Sequence, residues 1–552
     1  MWQSKHLLFY LGALLILVGG VVVVSTRHER IPPDEDTPGL GETVALEKLS
    51  AAQAPIVVEL KHGDTFDLTA GFVQKKLGNR SYRMLAYNGS IPGPLIKAEQ
   101  GAEVTINFKN NTDIETTVHS HGIRLDNQFD GVPEVTQEVI KPGQSYTYKV
   151  KFPDAGMYWY HPHVREDYAQ ELGLYGNYLV VPSDANYWSP VNREVALFLD
   201  DILIESGKIN LSRQGADHTL MGRYGNVMLV NGLPAEASAQ AGETNYTLAA
   251  QKDEVIRFYI TNAANARPFN FAIKGVKLKL VGADGGAYEK DEWKDSVVLG
   301  PSERAIVEVL FDKSGSFAIQ NTTPDQTYAI GSINVSEDPI AVSYASEFAE
   351  LKTHSATVKS IDPLRSYFDR APDKRMAFSV DMSGAPMQMQ MGGGHMMPDG
   401  TMMGSTMMRS MMDLSSDGIE WDDANKMIGS MSNTDNVKWK IVDQDTGREN
   451  MDIDWEFKLG QPVKIRIFNA PNSMHPMQHP IHFHGQQFLV LARNGVPEIG
   501  LAWKDTVLVP SGQTVDILLN PTNPGTWMAH CHIAEHLESG MMMKFDVAEA
   551  LK

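Results

Sequence analysis

Apolar and polar residues alternate in short runs along most of this 552-residue chain. A run such as Glu103-Val104-Thr105-Ile106-Asn107-Phe108, bounded by Gly, Pro, Asn or Asp turns, has the period of a half-buried strand. The pattern also repeats. The same early strand returns as Glu254-Val255-Ile256-Arg257-Phe258-Tyr259 and as Pro462-Val463-Lys464-Ile465-Arg466-Ile467, and each copy runs into an asparagine (Asn110, Asn262, Asn469). A later landmark also occurs three times: Lys141-Pro142-Gly143-Gln144 to Gly156, Gly300-Pro301-Ser302-Glu303 to Gly315, and Pro510-Ser511-Gly512-Gln513 to Gly525. Each closing glycine opens one more strand, led by Tyr158, Phe317 and Trp527. Three copies of one β-unit predict an all-β protein of three sandwich domains, at about 52–185, 190–345 and 375–549.

The N-terminus breaks the pattern. Leu7 to Val24 is unbroken apolar sequence behind Lys5, long for a signal peptide and just long enough to cross a bilayer. With no A-x-A-like site before Arg27, residues 1–26 read as a membrane anchor ahead of a cleaved signal. Either way, the bulk of the chain is expected outside the cytoplasm. Residues 27–51, with Ile31-Pro32-Pro33-Asp34-Glu35-Asp36, read as a linker.

Composition narrows the chemistry. A formal net charge of -20 argues against nucleic acid as a partner, because phosphate binding needs a basic surface. The single cysteine, Cys531, rules out an intrachain disulfide and marks a special-purpose residue.

Aligning the three copies exposes that purpose. After the early strand, copy one has His119-Ser120-His121 and copy three has His482-Phe483-His484, where copy two has Phe269-Asn270-Phe271. Five and seven residues after the closing glycine, His161 and His163 in copy one match His530 and His532 in copy three, where copy two has Gln320 and Thr322. Four H-x-H pairs thus fill the outer copies and leave the middle one blank. On a strand each pair aims both imidazoles at one face, and nitrogen donors suit Cu, Zn, Fe or Ni. By the same alternation, Cys531 turns to the face opposite His530 and His532. There it can join His536, Met541 and the upstream His479, and two His, a thiolate and a weak thioether make a blue-copper electron-transfer site. Structural zinc usually takes paired cysteines, and this spacing offers none.

His119-Ser-His-Gly, His161-Pro-His, His479-Pro-Ile-His-Phe-His-Gly and His530-Cys-His-(three)-His-(four)-Met resemble the four copper signatures of the multicopper oxidases. The resemblance implies three cupredoxin-like sandwiches, four copper ions, and one-electron oxidation of a substrate coupled to reduction of O2 to water. It implies a type 1 copper at His479, Cys531, His536 and Met541, and a type 2 copper at His119 and His482. A type 3 pair would sit at His121, His161, His163, His484, His530 and His532. Ser120, where many members carry Trp, is a non-ligand position. An axial Met541 resembles the bacterial branch and implies a type 1 potential toward the low end. Asp130 and, less directly, Glu535 are candidates for delivering protons. Asp505 resembles a family acid and is also compatible with a structural role.

The electron donor is read from methionines. Twelve lie from Met382 to Met412, among them Met387, Met389, Met391, Met396, Met397, Met402 and Met403, and no Leu, Ile or Val falls within Met387–Arg409. Thioethers select Cu(I), and the insert, at about 382–432, resembles the Met-rich segment of bacterial cuprous oxidases. Met474, His475 and Met477 precede His479, and His475 stands where those enzymes carry an acid, which leaves the substrate site open. The expectation is a monomeric cuprous oxidase of copper detoxification. The alternatives are a laccase acting on small phenols or aromatic amines, and a copper-binding protein without turnover.

Overall fold

The computed structural model describes residues 45–548 apart from 212–217, 236–245, 382–416, 423–436 and 472–475. Within the third gap it gives only the backbone pairing of His395–Met396 with Met402–Met403. The predicted anchor or signal at 1–26 and most of the linker lie outside the described residues. Among the described residues, no helix is long and apolar enough to cross a membrane.

Each repeat unit becomes two packed sheets. In the first, strands Arg80–Tyr87, Thr65–Leu77, Glu103–Asn111 and Ser145–Lys151 form one sheet. Val57–Leu60, Leu95–Glu99, Gly176–Val181, Gly156–His161 and His119–His121 form the other. The second unit pairs a seven-stranded with a five-stranded sheet, and the third a six-stranded with a five-stranded one. The first unit keeps its own core, with Trp159, Phe108 and Tyr158 buried in it. Separate cores form around Phe258, Phe269 and Phe271 in the second and around Trp439, Trp455 and Trp527 in the third. The architecture is therefore all-β, as the alternation requires.

The repeated asparagine has a structural role that the sequence pattern only flags. Asn110 donates from Nδ2 to the carbonyls of Ile114 and Ile140, Asn262 to those of Arg267 and Leu299, and Asn469 to those of Met477 and Val509. The backbone carbonyl of each asparagine accepts from an amide in the turn of the later landmark, at Gly143, Ser302 and Gly512. The side-chain amide thus ties the end of the early strand to two loops, the full use of its two donors, and the backbone carbonyl ties it to the turn. Those ties hold the segment just before each H-x-H strand.

Candidate metal centres

The strand His119–His121 pairs antiparallel with Gly156–His161, placing His119 opposite His161. In the third unit His479–Phe483 pairs with Gly525–Cys531, placing His482 opposite His530 and Ile481 opposite Cys531. The two edges face one another, and His121 stacks on His482 at 3.7 Å between ring centroids. All eight H-x-H imidazoles are brought together, and all are buried.

Hydrogen bonds decide which ring nitrogen of each histidine is free. A backbone carbonyl can only accept, so a ring nitrogen bonded to one must carry the hydrogen, and the other nitrogen then holds a bare lone pair. Nδ1 of His119 donates to the Asp130 carbonyl at 2.7 Å, and Nδ1 of His161 to Pro162 at 2.8 Å. Nδ1 of His482 donates to Asp505 and that of His530 to Cys531, both at 2.9 Å. Nδ1 of His484 lies 2.9 Å from the Asp130 carboxylate. In all five, Nε2 is left bare. His121 is reversed: Nε2 faces Asp505 Oδ1 at 3.0 Å, which frees Nδ1.

The bare nitrogens then point at one another. His484 Nε2 and His530 Nε2 are 3.0 Å apart, and His121 Nδ1 and His161 Nε2 are 3.4 Å apart. Nε2 of His119, His163 and His482 and both nitrogens of His532 have no hydrogen-bond partner among the described residues. Lone pairs facing each other in a buried site repel unless a cation lies between them. The donor set therefore fits metal ions, with carbonyls and carboxylates behind the rings setting their orientation. His163, His484 and His530 offer nitrogens within 4.8 Å of one another. The rings of His121, His161 and His532 are 5.0–5.6 Å apart. Burial, then the neighbouring imidazoles, pull His161, His484 and His530 well below the usual histidine range, so these rings are neutral and able to ligate.

Cys531 turns to the opposite face, into the third core. Its Sγ lies 3.6 Å from both His479 Nδ1 and His536 Nδ1, which are 3.2 Å apart. Met541 is fully buried in the same core, and its carbonyl accepts from the Cys531 amide. Burial pushes the thiol pKa up, so metal binding there must displace a proton.

The chain belongs to the multicopper oxidase family. Signatures described as "Multicopper oxidase" match residues 73–185, 203–339 and 422–550, more than half of the chain. A multicopper oxidase of Staphylococcus haemolyticus is 27% identical over 478 residues, covering 85% of each chain. A copper resistance protein A homologue of Pseudomonas syringae pv. tomato is 24% identical, covering 88% of this chain and 93% of the relative. The fold matches a multicopper oxidase of Campylobacter jejuni described as a metallo-oxidase, with a TM-score of 0.63 or close to it in several such structures and 0.62 in that one, at 23% identity over 91% of this chain and 98% of the other. As a multicopper oxidase it is an oxidoreductase with O2 as acceptor, and its cofactor is four copper ions, one type 1, one type 2 and two type 3.

The multicopper oxidase also draws on residues outside its copper motifs. Asp505, which lies against His121, is held well below the usual carboxylate range: burial would raise it, but Arg304, 2.7 Å away, outweighs that. Arg304 and Asp284 come from the middle sandwich, whose own metal positions are Phe269 and Phe271. Gly122, at φ +82°, closes this corner, where a Cβ would lie 2.2 Å from Asp505 Oδ2. The middle sandwich also caps the Cys531 centre, because His536 Nε2 donates to the Leu220 carbonyl at 3.0 Å. Trp439 covers the His536 ring at 4.3 Å and donates to the Thr219 carbonyl. Nothing in the local sequence around Leu220 signals that contact. Glu535 is buried and bonded to Asn265 Nδ2 at 3.1 Å, with Arg223 at 3.4 Å. Ser120 turns away from the imidazoles, 3.3 Å from the Tyr178 hydroxyl. Met477 is fully buried in the third core. Met474, His475, Met387, Met389, Met391 and Met397 lie outside the described residues, and of Met396, Met402 and Met403 only the backbone is described.

Proposed function

We propose that the enzyme is a cuprous oxidase, taking electrons from Cu(I) and passing them to O2. The reaction balances as four Cu(I), one O2 and four protons giving four Cu(II) and two waters. The ligand assignment is part of the proposal: type 1 at His479, Cys531, His536 and Met541, type 2 at His119 and His482, and type 3 at the other six imidazoles. Bound copper supplies one-electron redox chemistry and binds O2. The chain's own residues do the rest. Cys531 and its neighbours in sequence connect the two sites, and the His530 Nδ1–H to Cys531 carbonyl bond adds a second, shorter path beside the covalent one. Asp130 holds His119 and His484 in their ligating tautomers and stands ready to hold a proton beside them.

The observation that carries the Cu(I) reading is the covered acceptor. His536 is buried beneath Leu220 and Trp439, which leaves little room for an aromatic ring against its edge and suits a small ionic donor. The Met-rich insert adds soft ligands for Cu(I) in the same chain. Copper resistance in the name of the Pseudomonas relative agrees with this reading. Such a role fits an enzyme outside the cytoplasm, attached by its N-terminal apolar run or released from it. The test is deletion of Gly384–Met412, which should impair O2 uptake with Cu(I) and spare or improve uptake with a bulky diphenol. Equal loss on both substrates refutes copper recruitment by the insert, and fast diphenol turnover by the intact enzyme favours a laccase.

A further inference from the structure

A buried polar seam to which all three sandwiches contribute runs beside both copper centres. Glu166, Gln170 and Glu171 come from the first sandwich, on and just after helix Glu166–Ala169, which follows His163. Arg223 and Asn265 come from the second, and Glu535 comes from helix Ala534–Glu538 of the third. The two helices pack against one another, and every one of these six residues is at least nine-tenths buried. Arg223 bridges Glu171 and Glu535, at 3.4 Å from each, and also donates to the Asp167 carbonyl. Asn265 fixes Glu535 through its Nδ2 and accepts the Ala534 amide on Oδ1 at 3.1 Å.

The seam leaves polar atoms unpaired on both sides: Arg223 Nε and Nη1 lack a hydrogen-bond acceptor among the described residues. Both carboxylate oxygens of Glu166, Oε1 of Gln170 and Oε2 of Glu535 are buried without a hydrogen-bond partner among the described residues. Each such acceptor costs on the order of 1–3 kcal/mol unless a donor reaches it, and water is the donor small enough to do so. At its inner end, Glu166 Oε1 lies 3.8 Å from His163 Nε2. At its outer end Glu171 is the most exposed of the six residues.

We propose that this seam is a hydrated proton path to the trinuclear centre, loaded at Glu171 and ending in water held by Glu166 beside the imidazole cluster. The proposal rests on the reading of His163 as a copper ligand. Reduction of O2 to two waters consumes four protons with four electrons. For each one the seam carries, a proton from solvent joins the Glu171 carboxylate, then passes from that carboxyl to the water chain, and the carboxylate is restored. Only O–H bonds form and break. Asp130 reaches the imidazole cluster at a different ring, through His484 Nδ1.

Glu171 has the chemistry for loading. Burial pushes its carboxyl up to about 8, against the pull of Arg223 and with help from Asp201 and Glu535. The charged and titratable groups around it are Arg223, Asp200 and Asp201 from the second sandwich, Glu535 from the third, and Tyr175 from its own. A group that is part protonated near neutral pH both gives and takes a proton readily.

The test uses the copper-loaded full chain, reduced chemically in the absence of O2 and then mixed with O2, so that no Cu(I) substrate is involved. Glu171→Gln should leave copper content, blue absorbance and the rate of type 1 reduction unchanged. Reoxidation should slow on the order of tenfold or more and lose its alkaline limb, with Glu171→Asp restoring part of both. Infrared spectra of the copper-free protein should show a carboxylic C=O band that titrates near pH 8 and is absent in Glu171→Gln. Gln170→Leu should keep the band and still slow reoxidation, because it removes a water-holding atom and no charge. Wild-type reoxidation with a wild-type pH profile in both variants overturns the proposal, as does persistence of the titrating band in Glu171→Gln. If Glu171→Gln fails to load copper, Gln170→Leu decides alone. A full type 3 copper signal in His163→Phe would instead overturn the ligand assignment on which the path rests.

Discussion

Mild acid should destabilise the copper-free enzyme. Seven fully buried imidazoles, His121, His161, His163, His482, His484, His530 and His532, have their pKa lowered, by burial first and then mostly by one another. Unfolded, each takes up a proton with an ordinary pKa of about 6.5. The unfolded state therefore binds more protons below that pH, and stability is complete above it and lost as pH falls. Each imidazole contributes about 1.4 kcal/mol per pH unit. Buried acids whose pKa is raised furthest, Glu166, Glu171 and Asp200, work in the opposite direction, because folded they hold protons that the unfolded chain releases. Unfolded imidazole is half protonated at pH 6.5, so seven histidines at about 1 kcal/mol each against three acids at about 1.3 kcal/mol each leave about 3 kcal/mol between pH 6.5 and 5.5. That is a large part of the 5–15 kcal/mol typical of a folded domain. The assay is urea unfolding of the copper-free protein, followed by tryptophan fluorescence at half-unit steps from pH 7.5 to 5.5. The midpoint should rise slightly from pH 7.5 to 6.5, where the three acids outweigh the imidazoles, and fall with growing slope below 6.5. His482→Phe with His484→Phe, the residue types that the middle sandwich carries at these positions, should remove about 2 kcal/mol of the change between pH 6.5 and 5.5. A midpoint that stays level or rises from pH 6.5 to 5.5 would refute the claim of a buried, neutral imidazole cluster.

Three further outcomes follow from the same geometry. Cys531→Ser should abolish blue absorbance and turnover and lower bound copper from four ions to three, with circular dichroism unchanged; retained turnover would overturn the type 1 assignment. Gly222→Ala, at φ +71°, would set a Cβ 2.5 Å from Ile533 Cγ2 and 2.7 Å from Ala266 Cβ, beside the Leu220 cap. It should lower stability by about 1–3 kcal/mol and change the blue band, and an unaltered spectrum would show that the cap does not position His536. Asp505→Asn should cost about 3 kcal/mol in thermal unfolding because it leaves buried Arg304 with only the more distant Asp284, and it should lower copper content as His121 loses its orienting carboxylate.

Much of the metal chemistry was legible in the chain. Ligation by H-x-H and H-C-H on strands depends on local alternation, and alternation is written in consecutive residues, so which imidazoles share a face and where Cys531 points follow from the residues alone. The repeat did more, because the blank middle copy separated histidines with a purpose from histidines in general. The charge of -20 and the single cysteine removed nucleic-acid binding and disulfides for equally simple reasons.

Other features were set only by contacts between residues far apart in sequence. His121 and Asp505 are 384 residues apart, His536 and Leu220 316, and Glu535 and Asn265 270. No local period records such pairs. They arise because the outer sandwiches bring their histidine edges together while the middle one, having no ligands, supplies Arg304, Leu220 and Arg223 around them. Which ring nitrogen is bare was likewise decided by carbonyls and carboxylates that folding brings behind each ring. The sequence by itself determined which imidazoles share one face of a strand and that Cys531 turns to the other, because that is a property of one strand. Tertiary structure decided their tautomers, the covering of His536 and the burial of Glu171, because those depend on which surfaces meet and how much water they exclude.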